Sequence, residues 1–391
     1  MSSNSLEAPE PAASRYYRPE LDVVRFLAFM LVFLFHAIRT TGDPRFSSAF
    51  KSYVPVVYAL ADACRFGLSL FFTLSAFLIC ELLLRERDAT GTVRVKQFYI
   101  RRILRIWPLY YLGLVIGLVY AFLPGSDRSA VVEMGWFAIF MGSWYVVSHA
   151  GAATPMSLLW SISVEEQFYL FAPWIAKYFS RRLLYGFCAV VLLIANGCLY
   201  VLGKAQAPDR SIWFNSLIQF ECFAAGILLC LVLRGRLPGI VLWQRLMLVA
   251  ACVICWFFAC YGLHSRFLSP SENPGSWALI GGYALAALGC VSMMVAFLGI
   301  NPRMLPGPVV YLGRISFGLY VYHELALDII TRLPIGHAAS FANPLSWLKA
   351  ASTLGLTILM ASLSYRYFET PFLKLKKRHA VIESQPILGD G

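Results

Sequence analysis

Eleven long apolar runs constrain this sequence more than any other feature. An α-helix of about 20 apolar residues is long enough to span a bilayer, so the runs predict an all-α, polytopic membrane helix bundle. A water-soluble fold is excluded, because 59% of the 391 residues are hydrophobic and 14% are charged, whereas a soluble core stops growing near about 250–300 residues. The runs lie near 21–40, 66–84, 103–123, 131–147, 157–179, 183–202, 212–233, 241–262, 277–299, 309–331 and 347–368.

The distribution of Lys and Arg predicts how these runs cross the membrane. Cytoplasmic loops are enriched in both residue types, and seven of them follow the second run between residues 85 and 105. If the short run 131–147 does not cross, the later cytoplasmic positions collect twelve cations and the outer positions collect five. A full crossing would exchange these counts. We therefore expect about ten transmembrane helices, one re-entrant or interfacial segment, and cytoplasmic N- and C-termini in the inner (plasma) membrane.

The predicted organisation is a single membrane domain with a short tail on each side. Residues 1–19 are expected to form a disordered cytoplasmic tail, residues 20–370 the membrane domain, and residues 371–391 a short basic cytoplasmic tail. Met1–Tyr17 has no apolar core, so no cleavable signal is predicted. The net charge of +12 is spread over the loops and does not build a nucleic-acid-binding face, so the expected surroundings are a lipid bilayer.

The ten cysteines do not predict a metal site. Most of them lie inside apolar runs, where a thiol packs as a small hydrophobic group. Cys252 and Cys255 form a C-x-x-C pair, but no second pair or histidine stands at metal-ligand spacing. We expect no bound metal.

The first apolar run carries Asp22, Arg25 and His36. Eleven helical steps of about 100° bring His36 back almost to the face of Arg25, roughly 16 Å further along. Burying both groups in hydrocarbon is costly, so they are expected to face a polar interior and to act there. The alternative is an arginine that reaches the interface and a histidine that bonds to a neighbouring helix.

The third run opens with a cluster of arginines, Arg101, Arg102 and Arg105. They share one side of a helix at the cytoplasmic mouth, and arginine binds phosphate through bidentate, charge-assisted bonds. The alternative is a cluster that anchors the helix to anionic lipid headgroups.

Two adjacent carboxylates, Glu165 and Glu166, begin the span near 157–179 on its outer half. One of them can orient an imidazole and stabilise its protonated form. The alternative is an ion pair with Arg25 or Arg65.

Three polar residues, Ser316, Tyr320 and His323, form one stripe on the helix near 309–331, because they are spaced four and three apart. A hydrogen bond within the core is the expected role of His323. Arg366 and Glu369, three residues apart, are expected to form an interfacial ion pair.

Taken together, these motifs resemble the membrane acyltransferase 3 family, whose members O-acylate cell-envelope and secondary-metabolite sugars. The resemblance implies a ten-helix bundle that takes an acyl group from cytosolic acyl-CoA, with His36 catalytic and Arg25 essential. Some relatives carry a C-terminal SGNH domain outside the membrane, and none is expected after the last run here. The matching pieces are Leu21-Asp22-x-x-Arg25-x10-His36, Arg101-Arg102-x-x-Arg105-Ile106-x-Pro108-x-Tyr110, Trp160-Ser161-x-Ser163-Val164-Glu165-Glu166-Gln167-Phe168-Tyr169, Ser316-x-x-x-Tyr320-x-x-His323 and Tyr367-Phe368-Glu369-x-Pro371.

The hypothesis is a membrane acyltransferase that moves an acyl group, acetyl by default, from acyl-CoA to a hydroxyl of a carbohydrate or glycosylated acceptor. His36 would act as general base or as an acylated relay, oriented by Glu166 or Glu165. No permanently bound cofactor is expected, since acyl-CoA (acetyl-CoA) is a co-substrate. The residues expected to bind it are Arg101, Arg102, Arg105 and Tyr110. The supporting residues are Asp22, Trp160, Ser161, Ser163, Ser316, Tyr320 and His323, among which Ser161, Tyr320 and His323 are candidate oxyanion donors.

Two other classes of function remain open at this point. The first is a transporter or flippase of a sugar or lipid that uses Arg25, Glu165 and His323 as an ion path. The second is a membrane sensor without catalysis. Consumption of acyl-CoA by the purified protein separates the enzyme from both.

Overall fold

The computed structural model describes residues 16–39, 54–123, 128–149, 154–263, 274–333 and 344–379. All of the regular secondary structure in these residues is helical. The predicted all-α fold class is confirmed. In chain order the helices are α1 (Pro19–Arg39), α2 (Val54–Ala63), α3 (Phe66–Thr90), α4 (Val95–Ala121), α5 (Ser129–Ala138), α6 (Gly142–Ser148), α7 (Trp160–Tyr178), α8 (Arg181–Lys204), α9 (Asp209–Trp213), α10 (Ser216–Leu233), α11 (Leu242–Tyr261), α12 (Ser276–Phe297), α13 (Gly307–Arg314), α14 (Ser316–Arg332), α15 (Pro344–Leu363) and α16 (Thr370–Lys377). Two 3₁₀ turns at Pro155–Leu159 and Pro302–Met304 and a π-helical turn at Ser364–Glu369 join them.

The long helices alternate in direction. Arg87, near the end of α3, donates to the carbonyl oxygen of Phe179 just after α7 (2.7 Å). Arg101, near the start of α4, donates to the carbonyl oxygen of His379 just after α16 (3.0 Å). These contacts define one end of the bundle, which we call the basic end. Since α3 and α7 finish there and α4 starts there, α4 runs antiparallel to both α3 and α7.

The run 131–147 does not cross the bundle. Helix α4 leaves the basic end and α7 returns to it, so the segment between them starts and finishes at the opposite end. Helices α5 and α6 have 10 and 7 residues, which at about 1.5 Å per residue is well short of a hydrocarbon core of about 30 Å. The chain breaks at Phe140, whose φ of 58° is left-handed and whose carbonyl oxygen accepts a hydrogen bond from Gln167 (2.9 Å).

Seven helices among the described residues are long and apolar enough to cross a membrane, namely α3, α4, α8, α10, α11, α12 and α15. The protein is therefore a multi-pass membrane protein. The other predicted spans correspond to α1, α7 and α14. These helices carry Arg25, Glu165 and Glu324 within their apolar length, and polar groups at such positions are typical of functional sites.

Close helix contacts position α1 against α13. A Cβ atom at Gly313 would lie 1.9 Å from the backbone oxygen of Asp22, so only glycine permits this approach. Small residues allow such close packing between membrane helices. The contact sets the position of Asp22 and Arg25 relative to the polar stripe of α14.

The last span continues into the short helix α16 through the π-helical turn. Inside this turn the buried carboxyl group of Glu369 accepts a hydrogen bond from the hydroxyl of Ser364 (3.1 Å). The exposed guanidinium of Arg366 lies over the ring of Tyr367, 5.4 Å from its centre. The predicted ion pair between Arg366 and Glu369 is therefore wrong, because the π-helical turn directs Glu369 inward and Arg366 outward.

Candidate active site

A cavity begins at the basic end and extends between α1, α3, α4, α7, α14 and α16. Its volume is about 170 Å³. Glu86, Arg101 and Lys376 line its mouth, and Ser161 and Tyr320 line its inner wall. The helices that carry the sequence motifs therefore surround one space.

Positive charge exceeds negative charge in this cavity. Six cationic side chains and three carboxylates line it. Burial raises the pKa of Tyr16 and of Tyr17, which lie at the mouth before α1, to about 12. Both phenols stay neutral and do not offset the excess. The cations are Arg18, Arg25, Arg101, Arg102, Arg105 and Lys376, and the acids are Asp22, Glu86 and Glu165.

Two of the cations are paired with acids of the cavity. Asp22 accepts a bond of 2.5 Å from Arg25 and a bond of 2.8 Å from the hydroxyl of Tyr17. Glu86 accepts a bond of 3.0 Å from Arg101. These pairs fix the guanidinium groups of Arg25 and Arg101 on the cavity wall.

Three cations lack such a partner among the described residues. Arg102 lies over the rings of Phe98 and Tyr169, at 5.6 and 5.3 Å from their centres. Arg105 and Lys376 have no hydrogen bond or ion pair within the described part of the chain. The structure thus brings Arg101, Arg102 and Arg105 to one cavity together with Arg25, and it leaves room there for an anionic ligand.

Tyr110 lies outside the cavity, although it is predicted to bind acyl-CoA. It is fully buried, its hydroxyl donates to the carbonyl oxygen of Phe137 (2.7 Å), and it lies 3.4 Å from the hydroxyl of Ser163. The hydrogen bond from Tyr110 to Phe137 ties α5 to α4. Trp160 packs edge-on against Phe214 at 4.7 Å between ring centres, so it also has a packing role.

The motif Glu165-Glu166-Gln167 connects four parts of the bundle. Glu165 accepts bonds from Ser75 on α3 (3.0 Å) and from Tyr169 (2.9 Å). Glu166 accepts a bond of 3.3 Å from the indole of Trp107 on α4, and Gln167 holds the break between α5 and α6. Neither glutamate contacts His36. The expectation that Glu166 or Glu165 orients His36 is therefore wrong, because α7 directs both toward α3 and α4.

The carboxylate that meets His36 is Glu324, on α14. It forms a short contact with Nδ1 of His36, and the two side chains are 24% and 23% exposed, respectively. A carboxylate accepts hydrogen bonds, so in the neutral imidazole Nδ1 carries the proton and Nε2 keeps its lone pair. Glu324 thus takes the position beside His36 that was expected of Glu165 or Glu166.

His323 lies between His36 and the cavity wall. Its Nδ1 is 2.5 Å from the carbonyl oxygen of Tyr320, which requires the proton to be on Nδ1. Its Nε2 is buried and has no hydrogen-bond partner among the described residues. The ring centre of His323 is 5.1 Å from that of His36 and 5.5 Å from that of Tyr320.

Tyr320 closes the inner end of the cavity. Its hydroxyl lies 2.7 Å from that of Ser161 and donates to the carbonyl oxygen of Leu158 (3.0 Å). Phe71 packs edge-on against the same ring at 6.2 Å. His36 is not among the cavity-lining residues, so one aromatic layer separates it from the cationic space. Ser316 and Tyr320 line the cavity and His323 follows on the same stripe, as the spacing predicts.

His36, His323 and Glu324 also form a set that can hold a metal ion. Their ligand atoms lie within 4.8 Å of one another, and two histidines with one carboxylate are a common zinc set. The direct contact between His36 and Glu324 fits a hydrogen-bonded pair, and chelation separates the two possibilities experimentally.

Sequence reasoning missed two residues of this region, Glu324 and Lys376. Glu324 follows His323 directly, and a carboxylate inside an apolar span is itself a signal. Lys376 belongs to the basic stretch after the last span, which was interpreted only as a sign of topology. Its approach to the cavity depends on the π-helical turn, which the sequence pattern does not indicate.

Comparison of the sequence with known proteins assigns this chain to a family. A family model described as an acyltransferase domain matches residues 18–366. A Staphylococcus aureus protein named "Putative O-acetyltransferase" is 24% identical over 384 residues, which cover 92% of this chain and 58% of that protein. The peptidoglycan O-acetyltransferase of Listeria monocytogenes is 25% identical over 382 residues, covering 92% of this chain and 56% of that protein.

The chain spans a little over half the length of these curated relatives. No solved structure matches it.

Proposed function

The chain belongs to the acyltransferase domain family, and we propose that it is a membrane O-acetyltransferase that uses cytosolic acetyl-CoA and acylates a hydroxyl of a carbohydrate or glycosylated acceptor. The observation that carries this proposal is the cavity at the basic end, which holds three cations without an acidic partner among the described residues and is separated by one aromatic layer from the His36–Glu324 pair. Such an arrangement fits a donor with an anionic head and a long, thin acyl arm.

The electrostatics of the cavity support CoA as the carrier of the acyl group. CoA has a diphosphate and a 3′-phosphate, and an arginine binds phosphate oxygens through a planar pair of N–H donors. Arg102, Arg105 and Lys376, which lack acidic partners among the described residues, would bind these groups. The pantetheine arm would then extend toward Ser161 and Tyr320.

The His36–Glu324 pair supports the role of His36 as general base. With Nδ1 bonded to Glu324, Nε2 is the ring nitrogen that remains to accept a proton. Nε2 would take the proton of the acceptor hydroxyl while that oxygen attacks the thioester carbonyl. The thiolate of CoA leaves and takes the proton from the imidazolium, whose charge the carboxylate of Glu324 stabilises meanwhile.

Two variants of the transfer fit the separation between the cavity and His36. In direct transfer, the Tyr320 ring moves aside and the thioester reaches His36. In the relay, Nε2 of His36 attacks the thioester first and CoA leaves as the thiolate. The acceptor hydroxyl then attacks the acyl-imidazolium and takes the acyl group, and its proton passes to the released Nε2 and from there to the thiolate. The hydroxyls of Ser161 and Tyr320 are placed at the wall that the thioester must reach, and they are the candidate oxyanion donors.

The positive-inside rule supports a cytoplasmic basic end. The mouth of the cavity would then open to the cytosolic pool of acyl-CoA. His36, near the far end of α1, would lie in the outer half of the membrane, where an envelope carbohydrate can enter. A relative named peptidoglycan O-acetyltransferase agrees with a carbohydrate as the class of acceptor.

The experiment is an acyl-transfer assay with the purified protein in detergent. The proposal predicts that it releases CoA from acetyl-CoA and acetylates an added glycan acceptor, and that both reactions depend on His36. A folded protein that binds acetyl-CoA without releasing CoA in the presence of a panel of glycans would contradict the proposal. That result would favour transport of a sugar or lipid.

A further inference from the structure

Lys376 is a cation whose position the motifs of the sequence do not explain. It lies on α16 and lines the cavity with Arg25, Arg102 and Arg105. Arg105, Arg102, Arg101 and Arg25 act electrostatically on its ammonium group, and all four are also cations. The described residues provide no hydrogen-bond or ion-pair partner for its ammonium group.

The backbone around α16 holds Lys376 close to the other cations. The π-helical turn Ser364–Glu369 redirects the chain after the last span, and such turns occur frequently at functional sites. The hydroxyl of Thr370 then donates to the carbonyl oxygen of Tyr365 (2.6 Å). Arg101 fastens the other end of α16 through the carbonyl oxygen of His379 (3.0 Å). The short helix is thus anchored on both sides of Lys376.

The neighbouring cations on α16 are placed differently. Lys374, Lys377 and Arg378 are exposed, whereas Lys376 is half-buried. A helix that served only to contact lipid headgroups would place its lysines outward, and two of the three lysines of α16 do so, as does Arg378 just after the helix. The inward position of Lys376 requires a different explanation.

Convergence of like charges in a partly buried space is costly unless an anion is bound there. Arg25 and Arg101 already have carboxylate partners. Glu165, the third acid of the cavity, is bonded to Ser75 and Tyr169, and its single charge does not offset the three positive charges of Arg102, Arg105 and Lys376. These three come from α4 and α16, on two sides of the cavity mouth. An anion between them would receive donors from both helices.

We propose that Lys376 binds a phosphate group of the acyl donor and, with Arg102 and Arg105, completes a phosphate site between α4 and α16. This inference rests on the proposed use of acyl-CoA and adds a residue outside the recognised motifs. The site distinguishes a phosphorylated donor from an acyl-pantetheine that lacks phosphate. The alternative occupant with the same chemistry is the phosphate of an anionic lipid.

The test measures equilibrium binding of acetyl-CoA and of acetyl-pantetheine to the full chain in nanodiscs of phosphatidylcholine. Lys376→Ala should weaken acetyl-CoA binding about tenfold or more, the usual effect of losing one hydrogen bond to a charged group, and should leave acetyl-pantetheine binding unchanged. Lys376→Arg should keep most of the affinity. Lys374→Ala, the exposed neighbour on the same helix, is the matched control and should bind like wild type.

Each other result has a defined meaning. Equal losses for acetyl-CoA and acetyl-pantetheine would show a structural role, and unchanged acetyl-CoA binding by folded Lys376→Ala would also overturn the inference. If Lys376→Ala weakens acetyl-CoA binding only in nanodiscs that also contain anionic phosphatidylglycerol, Lys376 is assigned to lipid. If the wild-type protein itself does not bind acetyl-CoA, the proposed donor is wrong. If the wild type binds acetyl-CoA and Lys376→Ala binds it equally well, only the role of Lys376 is wrong.

Discussion

Replacing Glu324 by Gln tests the pair that the structure assigns to His36. The change keeps the shape of the side chain and an oxygen that can accept from Nδ1, but it removes the negative charge. The imidazolium that forms during transfer then loses its counter-ion. Glu324 lies outside the cavity-lining residues, so donor binding should be unaffected.

The size of the effect follows from the partial exposure of the pair. Both side chains are about one quarter exposed, so an effective dielectric constant of about 20 applies. Two unit charges about 4 Å apart then interact by about 4 kcal/mol, which corresponds to a rate change of roughly 10³-fold. We expect Glu324→Gln to lower kcat by about 10²–10³ and to leave the KM for acetyl-CoA near the wild-type value.

The assay is the steady-state release of CoA in the presence of acceptor, per folded protein. The matched control is Asp328→Asn, one turn further along α14, because Asp328 bonds to Tyr120 (2.8 Å) and Arg332 (2.7 Å) rather than to His36. The control should keep close to wild-type kcat. A Glu324→Gln variant with nearly full kcat beside an inactive, folded Glu166→Gln variant would refute the assignment and return the orienting role to Glu166.

Three further predictions concern the donor site, the topology and the metal. Replacing Arg101, Arg102 and Arg105 by Ala should raise the KM for acetyl-CoA more than it lowers kcat. Lys at these positions should restore binding only partly, because the bidentate geometry is lost. Unchanged acetyl-CoA binding by the Ala variant would assign the arginines to lipid. A reporter that is active only outside the cytoplasm, fused after the last residue, should give no signal, and a strong signal would reverse the orientation. Dialysis against a chelator should leave the rate unchanged, because His36 is expected to act without a metal, and a loss restored by Zn²⁺ would instead assign a metal to His36, His323 and Glu324.

The helical spans could be predicted because they depend on local sequence. A run of about 20 apolar residues is stable in a bilayer as a spanning helix. The count of Lys and Arg in the loops correctly predicted that the run 131–147 does not cross. The arginine cluster and the stripe of α14 were found for a similar reason, since helical spacing alone places Arg101, Arg102 and Arg105 on one side. The same reasoning placed Ser316 and Tyr320 on one face.

The partners of individual polar groups could not be predicted, because they depend on which helices pack together. Glu324 meets His36 only because α1 approaches α13 and α14 closely at Gly313. Tyr110 belongs to a motif that suggests a binding residue, but its hydroxyl donates a hydrogen bond to the carbonyl oxygen of Phe137 on α5. Lys376 reaches the cavity through a π-helical turn, whose unusual backbone bonding leaves no clear pattern of residue types.

The central claim of this account is that His36 is the basic group of an acyl transfer. The most direct measurement compares the transfer rates of His36→Ala and His323→Ala per folded protein, with acetyl-CoA binding measured separately for each. General acid–base groups contribute about 10²–10⁴-fold, so His36→Ala should lose at least that factor while it still binds acetyl-CoA, and His323→Ala should lose less. A His36→Ala variant that transfers acetyl groups near the wild-type rate, beside an inactive His323→Ala variant, would contradict the claim and make His323 the base.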